Sequence, residues 1–186
     1  MKRKNLIVSL TLSALFCTLI CVGSFIRIPM PNMMPVTLQT FFVLLTGLIL
    51  PLKASTLATF TYMALGLIGL PIFSGGGGLG YVLMPNFGFI IGFIIATVII
   101  SVIIEKRKHH KLWQYIVISL LGITVIYIIG ILYFVFITNV YKNNNYSAIW
   151  FIQTVFIPFL PKEIICVIIA SLSAYKIRPY MIKIPQ

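Results

Sequence analysis

Two acids, Glu105 and Glu163, are the whole acidic complement of this chain, set against fourteen lysines and arginines. Glu105 opens the basic run EKRKHHK (105–111) and reads as an ordinary loop residue. Glu163 is different, because it follows Lys162 inside the apolar stretch from Phe156 to Ala170. An ionisable side chain within an apolar span is a functional-site hypothesis by default, since its charge is costly there. A carboxylate accepts hydrogen bonds and donates none. It therefore suits a neutral ligand that presents N–H groups, such as a urea or an amide. The competing reading is structural: a Lys162–Glu163 ion pair, or a carboxylate at a helix start. Adjacent residues project to different sides of a helix, which argues against mutual pairing. If Pro161 takes the first helical position, where its missing N–H is no loss, Glu163 falls in the first turn. The helix dipole favours an anion there.

No catalytic set accompanies Glu163. There is no second carboxylate in an apolar span and no histidine-based dyad, because His109 and His110 belong to the basic run. Four consecutive glycines, Gly75 to Gly78, are followed by Leu79 rather than by Lys-Ser/Thr, so they are not a phosphate cradle of the P-loop kind. Cys17, Cys21 and Cys166 lie in apolar segments without paired spacing. They read as small buried residues, not as a disulfide framework or a metal site. The expectation is a protein that is not an enzyme and uses no cofactor or metal.

The chain that must position these residues is 60% hydrophobic and 9% charged, against about 25% charged in soluble domains. Its mean hydropathy is +1.10. This is the composition of an integral membrane protein. At roughly 20 residues per span, 186 residues hold six crossings. The reading is an all-α bundle of six transmembrane helices forming a single domain over residues 1–186. The net charge of +12 has no soluble basic face on which to bind nucleic acid and belongs to helix ends.

Helix one covers residues 6–26. Its apolar core outruns that of a signal peptide and meets Arg27 without a small-residue cleavage pattern, so it reads as retained. RIPMPNMMPV (27–36) carries three prolines and reads as an extended loop. Helix two runs from near Pro35 to Leu50, with Thr37, Gln39 and Thr40 in its opening turns. Helix three covers 54–70, helix four 86–104, helix five 113–138, and helix six 161–178, reached through a short apolar segment at 148–160. Between helices three and four lies the glycine run, then Tyr81, Pro85, Asn86 and Phe87. Irregular backbone at membrane depth is tolerated only where it is buried or lines a cavity, which makes this loop a candidate ligand wall.

With a cytoplasmic N-terminus and six crossings, one side receives Lys2, Arg3, Lys4, Lys53, Lys106, Arg107, Lys108, Lys111, Lys176, Arg178 and Lys183. The other side receives Arg27 and Lys142. The positive-inside rule then places both termini in the cytoplasm and the three irregular loops outside. On helix one, Ser9, Ser13, Cys17 and Cys21 recur every four residues, and Ala14 and Thr18 form an overlapping small pair. Such faces let helices approach closely, either within the chain or with a partner subunit.

Three segments, IPMPNMMPVTLQT (28–40), YMALGLIGLPIFSGGGG (62–78) and FIPFLPKE (156–163), occur in order and with family-like spacing. They resemble the BioY family, the biotin-specific S components of energy-coupling factor (ECF) transporters. The resemblance covers nearly the whole chain, and its most specific parts are P-V-T-L-Q and A-L-G-L-I-G-L-P before the glycines. It implies six helices, cytoplasmic termini and an outward-facing pocket roofed by the first loop. It also implies biotin as ligand and, as partners, a transmembrane scaffold subunit and two cytoplasmic ATPase subunits. The family's Ala-x-x-x-Ala docking motif falls on Ala14 and Thr18, beside Ser13 and Cys17. The family carboxylate after Phe-x-Pro-x, usually Asp, falls on Glu163.

On this resemblance the biotin rings are expected on Phe73 and Tyr81, and the ureido N–H groups at Glu163. Remaining polar contacts are expected from Thr37, Gln39, Asn86 and the backbone of Gly75, Gly76 and Gly77. The chain departs from the family pattern with Cys166 in place of the usual Lys, Gly77 in place of an occasional polar residue, and Met84 to Phe89 in place of G-P-T-G-G-Y. A biotin precursor, another small vitamin, an orphan structural subunit and a membrane enzyme remain as alternatives.

Overall fold

A computed structural model of the chain describes residues 2–29, 35–106, 111–141, 147–153 and 157–181. Helix α1 spans Lys2–Phe25. Strand β1 (Arg27–Ile28) pairs antiparallel with β2 (Val36–Thr37), Arg27 opposite Thr37. Helices α2 (Gln39–Ile49) and α3 (Leu52–Ile68) follow, then a 3₁₀ turn at Leu79–Leu83. Helix α4 covers Phe87–Glu105, and α5 covers Leu112–Phe136 and runs on as a π turn through Ile137–Tyr141. A short α6 (Ala148–Phe151) precedes α7 (Ile157–Met181). His109, His110, Arg107, Lys108, Lys142 and Lys183 lie outside the described residues, as do 30–34 of the proline-rich loop.

Six long helices are therefore present among the described residues, as the composition predicts. Four of them contain segments long and apolar enough to cross a membrane: Leu6–Phe25, Phe87–Glu105, Leu112–Tyr141 and Ile157–Met181. Helix α2 is shorter than expected. Its 11 residues rise about 16 Å, roughly half of a hydrocarbon core. It starts at Gln39 rather than near Pro35 because Val36 and Thr37 are held in the β1–β2 pairing. The Leu38 N–H is taken by the carbonyls of Gly23 and Ile26 at the end of α1.

The sequence of α2, QTFFVLLTGLI, offers no continuous polar face, and a helix apolar all round belongs in a core. Nine of its eleven residues are buried, enclosed by α1, α4, α5 and α7. Small hydroxyls join the helices around it. Ser13 Oγ donates to the Ala54 carbonyl (3.0 Å), and Ser101 Oγ donates to the Gly47 carbonyl (3.1 Å). The hydroxyls of Ser55 and Ser101 (2.7 Å), Thr59 and Thr97 (3.2 Å), and Ser119 and Ser171 (3.1 Å) pair across interfaces. Interhelical contacts of this kind contribute about 0.6 kcal/mol each.

The small-residue faces of α1 now separate. Ser13 and Cys17 are buried at 4% and 5% exposure, Ser13 against α3. Ala14 and Thr18, one position further round, are exposed. The inclusion of Ser13 and Cys17 in a partner-docking face is thus corrected: close packing on α3 takes them into the interior.

The final helix also starts earlier than the proline predicts. It includes Ile157 and Pro158, so Pro161 lies inside it, and Glu163 is in the second turn rather than the first. Pro161 removes an N–H that would otherwise bond the carbonyl four residues back. That carbonyl belongs to Ile157, at the helix edge, where the loss is least felt.

Candidate ligand-binding site

Helices α2, α4 and α7 begin at the same end of the bundle, and α5 passes them in the opposite sense. A cavity opens there. Pro35 and Thr37, at β2, precede Gln39 and Thr40 of α2 in the lining; the loop and α4 contribute Ser74, Tyr81, Asn86, Phe89, Ile90 and Phe93. The far wall is Ile126 and Tyr127 of α5 with Phe159, Lys162 and Glu163 of α7.

Glu163 is 3% exposed. Its Oε1 accepts from the Tyr127 hydroxyl at 2.9 Å and the Thr40 hydroxyl at 3.3 Å, and lies 2.6 Å from Lys162 Nζ. Its Oε2 is buried without a hydrogen-bond partner among the described residues. One oxygen is thus saturated and the other bare. A buried acceptor left unmade is costly, more so when charged, and of the buried atoms without a partner among the described residues, Oε2 is the one on a cavity-lining residue. The ring of Tyr127 is held edge-on to Phe89 at 5.6 Å, which fixes the hydroxyl.

The ion pair between Lys162 and Glu163 corrects the expectation that neighbours would point apart. The rule describes where Cβ atoms aim, and a lysine carries its charge on a flexible stem that can lie along apolar surface. Strand β2 and the start of α2 draw that stem back: Nζ donates to the Thr37 carbonyl at 3.2 Å and to Thr40 Oγ1 at 3.1 Å.

Five of the predicted residues besides Glu163 fall around the cavity or directly behind its wall. Thr37 donates to Gln39 Oε1 at 3.1 Å, and Gln39 Nε2 donates to the Tyr62 hydroxyl. Tyr81 accepts from Asn86 Nδ2 at 2.7 Å, which orients its ring and hydroxyl. Phe73 lies behind Tyr81. It is 2% exposed, 4.6 Å from the Tyr81 ring centroid and 5.4 Å from that of Tyr62. It packs on Gly66, where a Cβ would stand 2.0 Å from its ring.

Phe73, Gly75, Gly76 and Gly77 are not among the cavity-lining residues. The glycine loop folds back on the end of α3 instead. Phe73 and Gly76 exchange backbone hydrogen bonds, and Gly78 N–H donates to the Gly66 carbonyl at 2.7 Å. Gly76 and Gly78 hold φ of 124° and 98°, a region glycine adopts without steric cost. At Gly77 a Cβ would lie 2.1 Å from the Leu70 carbonyl oxygen. The glycines therefore seat the wall that carries Ser74 and Tyr81. Arg27 reaches the same wall from β1, donating to the Ser74 carbonyl.

Tyr127, Thr40, Lys162 and the α4 residues Phe89, Ile90 and Phe93 were not among the predicted ligand contacts. Thr40 and Lys162 carried a usable signal, being polar groups near Glu163 or the mouth of α2. Tyr127 carried little, since a tyrosine in an apolar helix is equally suited to packing.

Fold and cavity together define a helical membrane protein with a pocket, lined by apolar and polar side chains, at one end of its bundle. The sequence profile of the BioY family matches residues 1–183, and the chain belongs to that family. It is 35% identical over 147 residues to the probable biotin transporter BioY of Lysinibacillus sphaericus, covering 79% of this chain and 74% of the relative. It is 35% identical over 167 residues to the biotin transporter BioY of Thermotoga maritima, covering 89% and 93%. Among solved structures, the S-component for biotin from an ECF-type ABC transporter superposes with a TM-score of 0.85 at 24% identity, over 96% of this chain and 94% of that one.

Proposed function

We propose that this chain is the substrate-binding membrane subunit of an ECF-type uptake transporter and that its ligand is biotin. The observation that carries this is the half-satisfied carboxylate of Glu163 on the cavity. The ureido ring of biotin presents an N–H donor on either side of its carbonyl, and one of them is the complement of the bare Oε2. Its fused rings and aliphatic tail suit the apolar wall of Phe89, Ile90, Phe93 and Phe159. Gln39, Thr37, Tyr81 and Asn86 are placed to meet the ureido oxygen or the tail carboxylate. Family membership and the names of the relatives support the same ligand.

The chemistry is binding and release. The end bearing Lys53, Lys106, Lys111 and Lys176 faces the cytoplasm in this reading, by the positive-inside rule, and the cavity opens outward with both termini inside. The exposed Ala14–Thr18 face of α1 is the docking face for a transmembrane scaffold subunit, which carries two ATPase subunits; co-purification of these from membranes tests that part.

A thermal-shift panel of vitamins on the purified protein tests the ligand. A ligand at one hundred times its Kd stabilises the folded state by about 2.7 kcal/mol. Biotin is expected to raise the unfolding temperature and unrelated vitamins to leave it unchanged. A shift with a different vitamin and none with biotin would refute the assignment.

A further inference from the structure

Every proton of the Lys162 ammonium is placed. Nζ lies 2.6 Å from Glu163 Oε1, 3.1 Å from Thr40 Oγ1 and 3.2 Å from the Thr37 carbonyl. An ammonium has three donors and no acceptor, so Lys162 has no N–H left for a ligand although it lines the cavity. What it offers the site is charge. Among the cavity-lining residues Lys162 and Glu163 are the two that carry charge, and they cancel. Lys162 meets Oε1 of Glu163, and Oε2 has no hydrogen-bond partner among the described residues.

We propose that Lys162 is a specificity-determining residue, which makes the Glu163 end of the cavity electrically neutral so that it accepts a neutral N–H donor and rejects a cationic one. A lone buried carboxylate would favour a guanidinium, which pairs with it through parallel charge-assisted bonds. Beside Lys162 the same cation meets a like charge in a low-dielectric site, where the repulsion is stronger than in water. Rejection of a wrong ligand by a built-in repulsive element is a general route to selectivity. The geometry thus distinguishes a urea from its guanidine analogue, two heads of nearly equal shape. Lys162 acts through Glu163 and is a positioning residue, not a ligand contact.

This inference rests on the biotin reading, and the test separates the two. Radiolabelled biotin binding, with competition by 2-iminobiotin, is measured at neutral pH on the purified full chain. In 2-iminobiotin the urea is replaced by a guanidine, which is cationic under those conditions. The native chain is expected to prefer biotin by at least about tenfold. Lys162→Met is expected to reduce that preference by a further factor of about ten or more, in favour of the cationic analogue. Lys162→Arg keeps the charge and is expected to keep the native preference. Lys162→Gln, which retains a donor for the Thr37 carbonyl, carries the same expectation as Lys162→Met and replaces it if that variant does not fold. Equal loss of both ligands, or unchanged binding of both, makes Lys162 a purely structural contact and overturns the proposal while leaving biotin as ligand. A native chain that binds neither compound overturns both readings.

Discussion

The two ends of this bundle treat a carboxylate in opposite ways. At one end Glu105 is exposed and accepts from the N–H of Leu52, the first residue of α3, at 2.7 Å. Close by, the buried Arg178 donates through Nη2 to the Ile104 carbonyl at the end of α4, at 2.7 Å. An anion at a helix N-terminus and a cation at a C-terminus both follow the dipole, so this end uses charge to finish its helices. At the other end Glu163 is buried, crowded by three donors on one oxygen and met by none on the other. Burying an ion pair is weak evidence for stability, because desolvation offsets the attraction. Arg178 Nη1 at the first end and Glu163 Oε2 at the second are both buried without a hydrogen-bond partner among the described residues, so what sets the second end apart is that its charged group lines a cavity.

The contrast can be broken at several points. Glu163→Ala should weaken biotin binding by at least tenfold, about 1.4 kcal/mol, with the protein still folded. Isothermal titration of the purified variant measures it, and unchanged affinity would remove Glu163 from the site. Tyr127→Phe deletes one donor to Oε1 while keeping the ring against Phe89. It should weaken binding about five-fold, on the order of 1 kcal/mol; a titration that matches the native curve would show that the hydroxyl does not position the carboxylate. Glu105→Ala should leave biotin affinity as it is and lower stability by about 0.5 kcal/mol, read from the unfolding temperature. An effect on binding larger than that of Tyr127→Phe would erase the distinction between the ends.

Much of the architecture was legible because the apolar runs are long and the charges sit at their ends. Glu163 stood out for the same reason, as a lone acid in an apolar run. The start of α7 was misplaced because proline is a good first residue, yet Pro161 is tolerated within the helix where the bond it removes belongs to Ile157 at the edge. The Lys162–Glu163 contact was hidden because spacing fixes Cβ directions and says nothing of how Thr37 on β2 and Thr40 on α2 pull a flexible stem. Tyr127 lies 36 residues from Glu163, and only the register of α5 on α7 brings them together. Phe73 and the glycines were assigned to this wall, and they form the layer behind the residues that line the cavity. That layer is set by how tightly Gly77 sits on the Leu70 carbonyl, a detail no composition reveals.

The most direct test of the central claim is equilibrium binding of radiolabelled biotin to the isolated native chain, with Glu163→Ala alongside. Saturable binding that is weakened at least tenfold in the variant, about 1.4 kcal/mol, is the predicted result. No saturable binding to the native chain, or equal affinity in both, would contradict it.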